Sequence, residues 1–157
     1  MPDDAFAKSA SRSDSEQVQL EVNVATVQET LERTRPMMAM AESVDAATPG
    51  AAGLAYQAAE LAVHVMMMEI DGYDPWDDGK RYRRASEILG IAQTDFAFLH
   101  QVRMRDFYAN AARVDTESGI GWGPPLESPD DKDCRRCVVT ARRVVDAVHA
   151  KIAPPSR

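Results

Sequence analysis

The densest group of side chains that could do chemistry lies between residues 103 and 110. On a helix of about 3.6 residues per turn, Arg103, Asp106 and Asn110 fall within roughly 60° of one another. Arg105 and Tyr108 are three residues apart and form a second pair. Because arginine can hold a phosphate group through two parallel hydrogen bonds, these residues predict a ligand-binding groove. The alternative is an ordinary Arg–Asp pair at a solvated helix end.

A second candidate surface consists of four arginines in the last predicted helix. They form two pairs with a spacing of seven residues, so all four line the face opposite the apolar stripe of that helix. With the arginines of residues 103–113 they could form a patch large enough for RNA, and the alternative is a solvated charged face. The four residues are Arg135, Arg136, Arg142 and Arg143.

The distribution of charge limits the nucleic-acid hypothesis. The chain has a formal net charge of −7 at pH 7, which argues against a general nucleic-acid coat. Residues 101–157 nevertheless carry ten basic and eight acidic side chains, so a local basic surface on this part of the chain stays open.

Histidines and cysteines raise the question of a metal site. His64, His100 and His149 lie one each on three predicted helices, and three inward histidines could hold a divalent metal in a helical enzyme. Isolated helix histidines more often pack at the edge of a core. Cys134 and Cys137 have CxxC spacing, but a structural zinc site needs four ligands and a redox pair belongs after a strand. The sequence predicts no metal and no cofactor.

Helical periodicity dominates the chain. Stripes of apolar residues recur every three or four positions in three long segments, at residues 20–31, 54–68 and 137–152. Shorter helices are predicted at residues 80–89 and 94–112, and loops at residues 72–79 and 115–127. No segment alternates with a period of two for long enough to be a strand. The sequence therefore predicts an all-α fold, an antiparallel bundle of four to five helices.

The domain organisation follows from the same pattern. Residues 1–13 are predicted to be a disordered N-terminal tail, and residues 14–46 an N-terminal helical segment. Thr48 and Pro49 suit the cap and the first position of a helix, and they begin the bundle at residues 48–153. The predicted core includes Leu54, Leu61, Val65, Val144 and Val148.

Three consecutive methionines, Met66, Met67 and Met68, suggest an adaptable apolar surface. Consecutive positions on a helix point in different directions, so at least one of the three is expected to meet another helix or another chain. Trp76 and Trp122, both in predicted loops, are candidates for the same role. We therefore expect a homodimer.

Three motifs resemble those of the HEPN domain family. Residues 55–62, AYQAAELA, are similar to the alanine-rich start of the first core helix of the family. Gly72 then precedes a polar loop and a short helix, and residues 103–108, RMRDFY, resemble the arginine-to-tyrosine pattern of one branch. The resemblance implies a helical bundle with RNA or a nucleotide as ligand. It also implies a toxin–antitoxin or defence setting and a nucleotidyltransferase-type partner protein.

One departure from the HEPN pattern bears on activity. Ribonuclease members carry an arginine followed, after four to six intervening residues, by a histidine, and Asn110 occupies that place here. Asparagine cannot exchange a proton near neutral pH as histidine does, and tyrosine titrates only near pH ~10. The resemblance therefore implies weak or absent ribonuclease activity. The alternatives are a protein-interaction and dimerisation module without nucleic acid, and a metal-dependent helical enzyme using the three histidines.

Several features predict a soluble cytoplasmic protein. No apolar run approaches about 18 residues, so no membrane association is expected. The N-terminus lacks the apolar core of a secretory signal. Two cysteines three residues apart cannot form a disulfide framework, which suits a reducing compartment.

Overall fold

A computed structural model describes residues 27–75, 77–107, 112–116, 119–123 and 129–152, with the side chains of residues 27–75, 77–105 and 129–152. Helix α1 covers the described residues 27–43. The other elements are α2 (Pro49–Asp71), α3 (Asp78–Leu89), α4 (Gln93–Phe107), β1 (Ala112–Thr116), β2 (Gly119–Gly123) and α5 (Asp131–Ile152). The prediction of an all-α bundle of four to five helices is confirmed. The predicted tail and residues 14–26 lie outside the described residues.

Local signals in the sequence account for the helix ends. The Thr48 hydroxyl accepts a hydrogen bond of 3.3 Å from the Ala51 amide, and Pro49 takes the first turn of α2. Gly72 ends α2 with φ 72°, a left-handed conformation that glycine adopts without strain. Helix α5 begins one residue after Asp130, whose carboxylate accepts from the Asp133 amide at 2.7 Å.

Helix α5 packs against α1 in the antiparallel sense and against α2 in the parallel sense. Arg135 near the start of α5 pairs with Asp45 just beyond the end of α1, and His149 near the end of α5 meets Thr34. In contrast, the Cys137 thiol donates to a carbonyl near the start of α2, and Val144, seven residues later, lies beside residues further along α2. Among helices α2 to α5, the α2–α5 contact is the most extensive.

Small residues make this close approach of α2 and α5 possible. Six alanines of α2 are at most 2% exposed: Ala51, Ala52, Ala55, Ala58, Ala59 and Ala62. Val65, Val144 and Val148 are buried as predicted, but Leu54 and Leu61 are only partly buried, so their prediction as core residues was wrong. Ala52 and Ala59 lie beside α5, next to Cys137 and Val144, and such small side chains let the two backbones come together.

The three consecutive methionines of α2 differ in exposure, because successive positions on a helix point in different directions. Met66 and Met67 are fully buried, whereas Met68 is 41% exposed. Helix α1 also continues through Pro36, which the sequence would place at a helix end or kink. Among the described helices, none is both long and apolar enough to cross a membrane.

A two-stranded hairpin lies between α4 and α5 and was not predicted. Strands β1 and β2 pair antiparallel, with Ala112 opposite Gly123 and Thr116 opposite Gly119. The expected loop at residues 115–127 and the absence of strands were therefore wrong in this interval. Three of the five residues of β2 are glycine. Glycine is common in turns and has little intrinsic preference for strands, so the pairing with β1 decides the conformation of this segment.

Candidate functional site

Glu60 of α2 lies at the centre of a charged network that joins three helices. Its carboxylate accepts hydrogen bonds from Arg103 of α4 at 3.0 and 3.3 Å and from Arg81 of α3 at 3.3 Å. Arg81 also donates to the Glu60 carbonyl at 3.2 Å, and its Nε lies 3.1 Å from the carboxylate of Asp74. Two guanidinium groups and two carboxylates thus balance one another between α2, α3 and the loop that joins them.

Tyr56 completes the surroundings of Arg103. The Arg103 guanidinium donates to the Tyr56 hydroxyl at 3.3 Å, and its central carbon lies 5.3 Å from the centroid of the Tyr56 ring. Burial raises the pKa of Tyr56 above its ordinary value of 10.0, although the hydrogen bond from Arg103 opposes this shift. Tyr56 is therefore a neutral phenol near neutral pH and cannot serve there as a proton acceptor.

The predicted phosphate-binding groove is only partly within the described residues. Arg105 pairs with Asp133 of α5 at 2.8 Å, so Arg103 and Arg105 contact carboxylates on different helices. The backbone of Asp106 is helical, but its side chain is outside the described set. Tyr108 and Asn110 also lie outside the described residues.

The four arginines of α5 contact carboxylates on two sides of the helix. Two of them turn towards α1, where Arg135 lies 3.7 Å from Asp45 and Arg142 pairs with Glu42. An additional contact of 3.4 Å joins Arg142 to Asp146 one turn further along α5. These arginines therefore hold α5 to the α1 side of the bundle.

The other two arginines of α5 turn towards α4 and share one acid. Arg143 pairs with Asp95, and Arg136 lies 4.0 Å from the same carboxylate. The Arg136 guanidinium also stacks over the ring of Phe98 at 3.9 Å. Among the described side chains, the four arginines of α5 do not form one open basic face.

A cleft of about 630 Å³ opens between α1, α2, α3 and the loop before α3. This volume lies within the usual range of ligand sites in proteins, about 300–1,000 Å³. Its apolar lining comes from Met37, Leu61, Met68 and Pro75. Its polar lining comes from Gln57, Glu60, His64, Asp74, Asp78 and Arg81. Leu61, wrongly predicted as core, thus forms part of a cleft wall.

His64 of α2 lines this cleft. Its Nδ1 lies 2.8 Å from the Asp74 carboxylate, and its side chain is 50% exposed. Asp74 therefore joins His64 to Arg81. The sequence contained both residues, but the turn after Gly72 that brings Asp74 back along α2 is a tertiary feature, and ten residues of separation do not reveal it.

The three histidines have different surroundings. His64 pairs with Asp74, His100 lies 3.7 Å from Asp78, and His149 contacts Thr34. Within the described part of the chain, no group of three or more His, Cys, Asp or Glu side chains is arranged to hold a metal ion. Each thiol of Cys134 and Cys137 is buried and faces a backbone carbonyl.

The surroundings of His149 favour its neutral form in the folded protein. The Thr34 hydroxyl donates to the Leu31 carbonyl at 2.6 Å, so His149 Nε2, 2.9 Å from that hydroxyl, is the donor of the second hydrogen bond. His149 Nδ1 is buried and has no hydrogen-bond partner among the residues that the structure describes. Burial, together with the positive charge of Arg35, lowers the pKa of His149 below its ordinary value of 6.5, while the nearby acids oppose this shift.

This lowered pKa predicts a pH dependence of stability. Below about pH 6.5 the unfolded chain binds a proton on His149 more readily than the folded chain, so folding stability falls as the pH falls. We expect the free energy of unfolding to decrease more steeply between pH 7.5 and 5.5 in the wild type than in His149→Gln. Urea unfolding at each pH measures the difference. His64→Gln is the control, since His64 is half exposed, and a slope reduced equally in both variants would contradict the assignment.

Comparison with known proteins finds no relative of this chain. No family model matches the chain, and neither the curated proteins nor the solved structures contain a match. The geometry of the site must therefore support any functional proposal.

Proposed function

We propose that this protein is a HEPN-like interaction module that binds another protein chain and does not cleave RNA efficiently. The supporting observation is the pairing of its arginines. Each described arginine that the sequence assigned to phosphate or RNA binding, on α4 or α5, contacts a carboxylate of the same chain. The cleft, by contrast, offers an apolar lining and, in Asp78, a carboxylate that is 53% exposed.

Ion pairing weakens the case for catalysis on RNA. Cleavage without a metal needs a proton acceptor, a proton donor and positive charge for the phosphorane, and each proton-transfer group typically contributes about 10²–10⁴-fold. The charge of Arg103 is balanced by Glu60, and Tyr56 beside it is a neutral phenol. A substrate phosphate would have to displace Glu60 from Arg103, and Glu60 would then lose one of its two guanidinium partners.

Binding of RNA or a nucleotide is the second candidate, in a toxin–antitoxin or defence setting with a nucleotidyltransferase-type partner. One observation favours it. The Arg103 side chain is 37% exposed and held against the Tyr56 ring, so a phosphate could approach it from solvent.

We place the protein in the cytoplasm on either proposal. Its two cysteines are three residues apart on one helix, so a disulfide between them could not link distant parts of the fold.

An RNA titration separates these two functions. We expect no cleavage of labelled RNA by the wild type and weak binding, with a dissociation constant near or above ~10⁻⁴ M at physiological salt. Asp95→Asn releases Arg136 and Arg143 from their shared acid, so this variant should bind RNA several-fold more tightly. Glu69→Gln makes the same change in net charge without removing an acid that pairs with α5, and it should bind like the wild type.

The same assay can overturn the proposal. Robust cleavage by the wild type that is lost in the Arg103→Ala, Arg105→Ala double variant would make the protein a ribonuclease. Tight binding that falls with salt and weakens in that double variant would favour the second candidate.

We also propose that the protein self-associates. Two large apolar side chains are exposed at the end of α2 and just beyond it, outside the cleft lining, namely Ile70 and Tyr73. Sedimentation across a concentration series should give the mass of a dimer at high concentration. A monomer throughout would remove self-association from the proposal and leave binding to a different chain.

A further inference from the structure

The walls of the cleft are suited to an apolar partner. Its apolar lining comes from Met37 of α1, from Leu61 and Met68 of α2, and from Pro75 in the loop before α3. Met68 is 41% exposed although its two preceding neighbours are fully buried. Methionine side chains are unbranched and flexible, so a wall that contains two of them can adapt to the shape of another apolar surface.

The apolar surface continues beyond the cleft along α1. Met40 follows Met37 by three residues, which places both within roughly 60° on one flank of the helix. Met40 is 60% exposed, and Val44, just after the end of α1, is 48% exposed. From Met37 to Val44 this strip adds about 10 Å of apolar surface to that of the cleft, and an amphipathic helix of a few turns could cover the cleft and the strip together.

Acidic side chains outnumber basic ones in the polar lining of the cleft. Glu60, Asp74 and Asp78 contribute three carboxylates, and Arg81 is the guanidinium among the lining residues. Glu60 and Asp74 both contact Arg81, and Glu60 also contacts Arg103 from α4. Asp78 is the most exposed of the three acids, at 53%, and its ion-pair contact is the imidazole of His100 at 3.7 Å. A cationic group on an incoming partner would therefore meet Asp78 first.

We infer that this cleft binds a basic amphipathic helix of another protein. The apolar face of that helix would lie on Met37, Met40, Leu61 and Met68, and a lysine or arginine beside that face would pair with Asp78. This recognition follows the helix-in-groove mode, in which apolar anchors supply contact area and charges set the partner and the orientation. The inference rests on the proposed interaction function and adds the chemistry of the partner to it. The net charge of −7 also favours a basic partner.

A pair of designed peptides tests the inference. The probe is a labelled amphipathic helix of leucine and lysine, and its counterpart has glutamate at each lysine position. Fluorescence anisotropy should show that the protein binds the lysine peptide. It should bind the glutamate peptide at least tenfold more weakly. Asp78→Asn should weaken the lysine peptide about five- to tenfold, and Met68→Ser should weaken it similarly by removing an apolar anchor. Glu69→Gln, next to Met68 but outside the cleft lining, should have no effect.

The results also tell an external partner from a second copy of this chain. Equal binding of both peptides, no binding of either, or equal weakening by Glu69→Gln would overturn the inference. A dimer that dissociates in Met68→Ser would overturn it as well, because the cleft would then hold a second copy. The interaction function itself is judged independently by the RNA titration, which does not depend on the cleft.

Discussion

Replacing Met66 with alanine should lower the free energy of unfolding by about 2–5 kcal/mol. The Met66 side chain is fully buried in α2, in the cluster that also contains the alanines facing α5. Truncation removes apolar contact area and leaves a cavity that the surrounding helices fill only in part, since α2 and α5 are already in close contact. Urea unfolding followed by circular dichroism measures the loss.

Met68→Ala is the matched control, two residues further along the same helix. It makes the same chemical change at a side chain that is 41% exposed, so its effect on the free energy of unfolding should stay below about 1 kcal/mol. Equal losses in the two variants would mean that Met68 is buried in solution, for example in a dimer. A protein-concentration series for Met68→Ala would then reveal that dimer, because only an association would make its stability depend on concentration.

Helix α2 illustrates what the sequence can predict. Its start at Thr48 and Pro49 and its end at Gly72 follow from local chemistry, a side-chain cap, a proline without an amide hydrogen and a glycine with positive φ. These signals act within a few residues and need no knowledge of the rest of the fold. Val65, Val144 and Val148 were equally predictable, since they repeat at helical spacing on faces that become buried.

The errors concern features that depend on neighbouring helices. Periodicity marked Leu61 as core, but α2 meets α5 through its alanines and leaves Leu61 in the cleft. A stripe of apolar residues indicates a face, and it does not say which part of that face a neighbour covers. The prediction of a loop in the β2 segment was wrong for a related reason. Pairing with β1 stabilises a glycine-rich segment that local propensity would make a loop.

The sequence predicted the arginines of the candidate site but not the acids that pair with them. Arg103 stood out because several polar residues share its helix, yet its partner Glu60 lies 43 residues earlier in a segment that attracted notice for its alanines. Charge alone could not distinguish an arginine open to phosphate from an arginine already paired. The same holds for α5, where Asp95 and Glu42 come from helices far away in sequence.

The second large effect should come from Arg81, the most buried charged side chain of the network around Glu60. Its side chain is 10% exposed, and it contacts Glu60 and Asp74, whose side chains are 30% and 13% exposed. Arg81→Met keeps the aliphatic stem but leaves two partly buried carboxylates with less compensation. We expect a loss of roughly 2–4 kcal/mol in the free energy of unfolding, near the lower end for a broken buried pair because Glu60 keeps Arg103.

Arg84→Met separates burial from ion pairing as the cause of that loss. Arg84, three residues further along α3, holds Asp71 with two hydrogen bonds of 2.8 and 2.9 Å, but its side chain is 41% exposed. Water replaces its hydrogen bonds and salt screens its charge, so Arg84→Met should destabilise the fold far less than Arg81→Met. Adding Asp74→Leu to Arg81→Met should restore part of the stability, because the second change removes the carboxylate that the first left uncompensated. Equal losses for Arg81→Met and Arg84→Met, or an additive loss in the double variant, would mean that the network contributes no more than a surface ion pair.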